Sequence, residues 1–304
     1  MTTTYEREGL TWIDLESPSE EELDGIRETY SLHPLVVGEL STPSDRQKVD
    51  LYENLMYLIL QFPALGRART TSRSQEIDFL IGKDFLVTVH YEPIDALREV
   101  GGHFEVDTLL HKGQHEKHAG FIFFTIIQKL YASLEDQLEG ISHDLTGAKD
   151  RIFAGQERAM VERLSSINRT LLEFRIAIKS HGNIWDSFEK AGAVFFDKKF
   201  SYYLAAISGG YNKIGNMLEG NKEILNDLRQ TNDSLLTTKM NETMVHLTMM
   251  AFVVFPLTLI AGIFSMQTQQ TPVIGTPNDF WKVLGAMFIT ALVVFGFFKY
   301  RKWL

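Results

Sequence analysis

Hydrophobic and polar positions follow three successive rhythms along the chain. Up to about residue 115, short apolar runs alternate with turn signals and one polar helical stretch. "GLTWIDL" predicts a short strand. "PSEEELDGIRETY" predicts a helix, with Ser17 or Ser19 as its cap and acids in its first turn. "QKVDLYENLMYLILQF" and "EIDFLIGKDFLVTVHY" predict paired strands. The first carries Glu53-Asn54 near a turn, and the second has Gly82-Lys83-Asp84 between two β-rich runs.

The second rhythm is helical. "GFIFFTIIQKLYASLEDQLEGISHDLTGAKDRIF" predicts one helix and "ERAMVERLSSINRTLLEFRIAIKSHGNIWDSF" another, with a break at Gly155-Gln156. A third helix follows. Phe200, Leu204, Ile207, Tyr211, Ile214, Leu218, Asn221, Leu225, Leu228, Asn232 and Leu235 alternate steps of four and three, an a/d seam over five heptads. No proline stands between Pro93 and Pro256. A helix running from about Lys198 to Phe264 would measure roughly 100 Å. The seam fits an antiparallel hairpin within one chain. It also fits parallel self-association, with Asn221 and Asn232 fixing the register.

The third rhythm is nearly unbroken apolarity. From Thr243 to Asn278 there is no Asp, Glu, Lys or Arg. Met244–Phe264 is roughly 30 Å long as a helix, enough to cross the hydrocarbon core. Val283–Phe298 is shorter, but long enough if Lys282 snorkels and Trp281, Tyr300 and Trp303 sit at the interfaces. Lys239 precedes the first span and Lys299, Arg301 and Lys302 follow the second, whereas the intervening loop holds only Asp279 and Lys282. The positive-inside rule then places both termini in the cytosol. The expected organisation is a cytosolic α/β domain (1–115), a helical hairpin (116–196), a stalk helix (197–242), a first transmembrane helix (243–264), an outside loop (265–279), a second transmembrane helix (280–300) and a basic tail (301–304).

Composition narrows the function. A formal charge of −9 without a basic stripe speaks against nucleic acid. The absence of cysteine excludes disulfide and thiolate chemistry. "MTTTYEREGL" lacks an apolar core, so no cleavable signal peptide is expected. Without a phosphate-binding loop, a catalytic triad pattern or a zincin motif, the chain is not expected to be an enzyme, and no cofactor is expected. Two minor candidates stand apart. His111, His115 and His118 have the spacing of a metal-binding helix face, though Gly113 weakens helix there and a solvated surface is the plainer reading. Glu219, Glu223 and Asp227 form an acidic stripe on the third helix that could sense a cytosolic cation, though such a stripe is usually just solvated.

The seam continues into the first span. Asn241, Met244, Leu247, Ala251, Phe255, Thr258 and Gly262 share one helix face. Symmetry-related copies would make that face a pore wall: polar at Asn241, apolar from Met244 to Phe255, and polar again at Thr258. Gly262 would let a narrow pore expose backbone carbonyls. The apolar belt could gate by dewetting, and the polar rings could meet a hydrated cation. Plain membrane-helix packing, which favours small and hydroxyl residues, gives the same spacing.

"FPLTLIAGIFSMQ" and, after a short loop, "FWKVLGAMFITALVVFGFFKYRKWL" resemble the C-terminus of the CorA family of divalent-cation channels. Upstream, "HPLVVGEL" and "DRQKVDLYENLMYLIL" are similar to that family's N-terminal domain. The resemblance implies a homopentamer with a cytosolic α/β funnel, a long stalk helix lining the pore, a second helix outside it, and passive influx of Mg2+, with Co2+ or Ni2+ as further cargo. The family's pore positions fall on Asn241, Leu247, Phe255, Thr258 and Gly262. Its Gly-Met-Asn signature is replaced here by Ser265, Met266 and Gln267. Gln267 keeps the carboxamide but adds a rotor, which implies a looser ring. Ser265 would cost about 1 kcal/mol if the helix end there needs positive φ. With Asp279 as a nearby negative ring, these residues would form the selectivity mouth. Gln267, Thr258 and Asn241 would touch the ion through its hydration shell. Two alternatives remain: a transporter like the ZntB zinc transporters of the same superfamily, or a membrane-anchored sensor or effector with a poorly selective pore. The expected partners are further copies of the chain, the lipid bilayer of the cytoplasmic membrane and divalent cations.

Overall fold

The computed structural model describes residues 1–7, 9–44, 46–64, 74–110, 118–196, 200–266 and 278–301, with the backbone alone at 105–110, 193–194 and 279. It separates into two compact units, Met1–Arg229 and Gln230–Leu304.

The first unit is built on a six-stranded sheet. Its strands are β1 (Thr2–Arg7), β2 (Leu10–Glu16), β3 (Lys48–Leu51), β4 (Met56–Pro63), β5 (Ser74–Ile81) and β6 (Phe85–His90). They lie in the order β1-β2-β6-β5-β4-β3, and β2 runs parallel to β6 while every other pair is antiparallel. The β3–β4 and β5–β6 hairpins turn where Glu53-Asn54 and Gly82-Lys83-Asp84 predict. Strand β1 is unexpected. Its alternation is polar, "TTTYER", because it is an edge strand half in solvent, but it pairs with β2 from Thr2↔Leu15 to Arg7↔Leu10.

Two short helices cover one face of the sheet. In α1 (Glu20–Tyr30), Ser19 is the cap and forms a reciprocal capping box with Glu22; Ser17 lies outside it at φ 46°. Helix α2 (Pro34–Leu40) begins on a favoured N-terminal proline. Leu23, Ile26, Val36 and Leu40 from these helices pack with Leu15, Tyr57, Ile59, Leu80, Val87 and Val89. The strands bury residues on both faces, so β4 reads as one apolar run rather than an alternation.

The opposite face carries α3 (Asp95–Leu110), α4 (Ala119–Phe153) and α5 (Glu157–Ile178). Phe123 of α4 meets Phe79 of β5 edge-on at 5.2 Å. The break at Gly155 is real, and that glycine takes φ 87°. The stretch from Glu157 to Phe188 is not one helix. It is interrupted at Lys179-Ser180, and α6 (His181–Phe195) begins anew. His181, the first residue of α6, has a fully buried ring that bonds the Gln61 carbonyl of β4 at 2.8 Å and Tyr131 Oη of α4 at 3.0 Å.

Helix α7 (Phe200–Ser265) is continuous through Pro256. Its seam is buried within a single chain: Phe200, Leu204, Ile207, Ile214, Leu218, Asn221, Leu225 and Leu228 are all covered. Asn221 donates to the Leu138 carbonyl of α4 at 2.9 Å. This corrects the self-association reading of the seam. Asn221 fixes α7 against another helix of the same chain, not against a symmetry mate. Helix α8 (Asp279–Tyr300) completes the second unit.

Candidate functional site

Two helical stretches are long and apolar enough to cross a membrane, one within α7 and one formed by Phe280–Tyr300, and almost none of either is buried. Within the second unit, Met249, Val253, Pro256, Leu257, Ile260 and Phe264 of α7 are partly or fully buried and share one helix face. Phe252 beside them meets Phe298 of α8 edge-on at 6.2 Å. The predicted pore residues lie elsewhere. At 100° per residue, Asn241, Met244, Leu247, Ala251, Phe255, Thr258 and Gly262 fall within an arc of about 120°, roughly opposite the buried face. All are exposed except Ala251, which is half-buried. Phe255 is 72 % and Leu247 61 % exposed, large apolar surfaces left without intrachain cover.

The chemistry of the far end of this face suits a cation. Thr258 Oγ1 donates to the Val254 carbonyl at 2.9 Å. Its proton is thereby turned back into the helix, and its lone pairs are left for an outside donor. Among the described residues, the Gly262 carbonyl lacks its usual helical donor. The Met266 N–H that would reach it turns to Ile263 O at 3.3 Å instead. Gly262 is therefore among the terminal carbonyls lacking an in-helix partner. The end of α7 also carries the negative pole of the helix dipole. Sequence reasoning missed this contribution, which needs no ionised side chain. The signal was present in the helix ending just after "AGIFS".

Ser265 is the last residue of α7 and does not take positive φ. The expected strain at this position is absent, because the helix simply runs through it. Met266 is exposed. Gln267 lies outside the described residues. Asp279 opens α8, with only its backbone described, and Asn278 before it takes φ 68°, a left-handed conformation that asparagine tolerates.

The lesser candidates disperse. His111 and His115 lie outside the described residues. His118 caps α4 and packs against Phe196 and Phe200, with ring centroids 5.6 and 5.4 Å away. Glu219, Glu223 and Asp227 are exposed, and Glu219 pairs with Lys222 at 3.4 Å. Among the described residues, no group of three or more His, Asp or Glu side chains is placed to hold a metal.

A family model described as "CorA-like Mg2+ transporter protein" matches residues 7–301. The chain belongs to this family. It is 22 % identical over 295 residues to the cobalt/magnesium transport protein CorA of Thermotoga maritima, covering 97 % of this chain and 83 % of that protein. It is also 22 % identical to the protein of the same description from Methanocaldococcus jannaschii, covering 99 % and 93 % of the two chains. The complete structure of the CorA magnesium transporter from M. jannaschii superposes with a TM-score of 0.84 at 20 % identity, over 99 % of this chain and 94 % of that one. The CorA fold is therefore shown for nearly the whole chain. Within this family, the two apolar helices make the chain a membrane protein rather than a soluble one with a helical hairpin.

Proposed function

We propose that this CorA-family chain is a channel for divalent cations, Mg2+ first, acting as a homopentamer in the cytoplasmic membrane with both termini in the cytosol. The observation that carries the reading is the uncovered, uncharged face of α7, which passes from Leu247 and Phe255 to the oxygens of Thr258 and Gly262. Five copies of that face around an axis would make a dry belt with a polar mouth. Mg2+ sheds water reluctantly, so a mouth of neutral oxygens that touches its hydration shell admits it without trapping it. Carboxylates in the same place would bind more tightly and release more slowly, and lysine or arginine would repel the ion. Gln267 would extend the mouth outward, and Asp279 would add a ring of negative charge near it. Entry is driven by the membrane potential, about 2.3 kcal/mol per charge per 100 mV.

The test is Mg2+ uptake by the purified protein in liposomes under an inward-negative potential. Uptake by wild type and its loss in Gln267→Leu at equal incorporation are expected. Wild-type flux in Gln267→Leu would show that the mouth does not select. Absence of any divalent flux would move the sensor or effector reading ahead. A second reading concerns the ion alone. Gln267 in place of asparagine adds a rotor and would loosen the mouth, which favours broader passage of Co2+, Ni2+ or Zn2+. Competition by each ion against Mg2+ uptake separates these.

A further inference from the structure

A buried acid on the α1–α2 side of the sheet lies outside the residues proposed to line the pore. Asp78 of β5 is fully buried, and neither of its carboxylate oxygens has a hydrogen-bond partner among the described residues. The sheet register defines what surrounds it. Lys48 of β3 pairs with Ile59 of β4, Ile59 with Asp78, and Asp78 with Val89 of β6. Lys48 and Asp78 therefore stand in one row on one face of the sheet. Tyr57 of β4 is a diagonal neighbour on that face, Tyr91 just beyond β6 packs on the same side, and Glu76 is two residues back on β5. Asp50 of β3 lies in the next row, opposite Tyr57. Helix α2 brings Glu39. Glu76 is occupied, accepting from the Ser44 N–H at 2.9 Å and from Gln61 Nε2 at 2.6 Å.

Lys48 is the cation of this set, and it is engaged elsewhere. Its Nζ lies 2.6 Å from Glu39 and 2.5 Å from Asp50, and 4.9 Å from the centre of the Tyr57 ring. It thereby ties α2 to β3. Among the described residues, Asp78 is left without a counter-ion. Burial, reinforced by the charges of Glu76 and Glu39 and only partly offset by Lys48, pushes its carboxyl well above the usual carboxylate range.

We propose that Asp78 is a proton-binding site whose ionisation releases α2 from β3. In the protonated form Asp78 is neutral, and Lys48 clasps Glu39 and Asp50. When the O–H bond breaks and the proton leaves for solvent, an unpaired carboxylate stands in the core. That costs more than a partly exposed ion pair contributes, so Lys48 is drawn to Asp78 and Glu39 is let go. The sign follows from linkage. The folded chain holds the Asp78 proton at pH values where the unfolded chain has lost it. The clasped form is therefore favoured at low pH and is lost as pH rises through the folded value.

The test uses the full-length protein in detergent across a series from about pH 5 to about pH 9, a range above the unperturbed aspartate value. Infrared absorption reads the C=O stretch of a protonated carboxylic acid. Hydrogen exchange of residues 34–40, corrected for the intrinsic pH dependence, reads the hold on α2. Wild type should show a neutral-carboxyl band that Asp78→Asn lacks. As that band disappears, α2 exchange should rise about two- to fivefold, the range expected for one partly exposed ion pair. In Asp78→Asn the exchange should be flat. Identical spectra for the two proteins, or the same rise in both, would overturn the proposal. Should Asp78→Asn fail to fold, Lys48→Met serves instead. It should keep the band to higher pH and raise α2 exchange at every pH, and no change in either quantity overturns the proposal equally.

Discussion

Acidification should loosen α6 by an amount that follows from the environment of His181. Its Nε2 lies 2.8 Å from the Gln61 carbonyl, a group that only accepts, so Nε2 carries the ring proton. Nδ1 then accepts from Tyr131 Oη at 3.0 Å, and Tyr131 Oη in turn accepts from Trp185 Nε1 at 2.8 Å. A second ring proton would have to displace the Tyr131 proton in a site without water access. Burial, opposed only by the Gln61 carbonyl, pulls His181 down to about 4 from an ordinary 6.5. The unfolded chain takes up a proton near the ordinary value, and the folded chain does not until about 4. Between the two, the folded state loses about 1.4 kcal/mol per pH unit. Going from about pH 7.5 to about pH 5 therefore removes about 2 kcal/mol, or a roughly 30-fold rise in the opened population. His90 acts in the opposite sense. Burial pulls it down, but Asp14 and the Glu92 carbonyl outweigh that and hold it above its ordinary value. Its contribution is complete at low pH and is lost as pH rises. The assay must therefore subtract a variant that cannot titrate. Hydrogen exchange of α6 amides in the full chain, compared between wild type and His181→Asn at both pH values, isolates the His181 share. An equal acid-induced rise in the two proteins would refute the reasoning.

Three further outcomes are expected. Phe255→Ser should raise basal ion leak in liposomes by hydrating the bulkiest apolar point of the proposed pore face, and unchanged leak would mean that the face is wrongly assigned. Ser265→Gly should relieve no strain, since Ser265 is helical; it should instead weaken the end of α7 by up to about 1 kcal/mol, read as faster exchange at residues 262–266. Gly101→Ala should destabilise the first unit by about 1–3 kcal/mol, because a methyl there collides with the hydroxyl of Tyr5, which stacks on Trp12 at 4.7 Å; a denaturation midpoint matching wild type would contradict this.

The sequence alone determined the features that one element settles by itself. A run from Thr243 to Asn278 without a charge is a local fact, and so is a three-four seam from Phe200 to Leu235. A cap at Ser17 or Ser19 was legible, though the structure chose Ser19, and the hairpin turns were legible from their residues, for the same reason. The pore face could be drawn from spacing because 3.6 residues per turn fixes which side chains share a side. Only the tertiary structure decided what each face meets. A heptad seam is satisfied by any matching helix, and the bond from Asn221 to Leu138 is what makes the partner part of the same chain. "AIKSHG" contains no proline, though Ser180 and Gly182 disfavour helix locally. What only the tertiary structure shows is that His181, at the start of α6, reaches across to β4 and α4, residues 120 and 50 positions away. Strand β1 is polar because half of it faces water, so its pairing with β2 left no apolar signature. Asp78 reads in sequence as one acid in a β-rich run, and becomes a buried group without a hydrogen-bond partner among the described residues only when the sheet and α2 close over it. Periodicity belongs to a single segment, whereas burial and hydrogen-bond partners belong to residues far apart in the chain, and no local pattern encodes them.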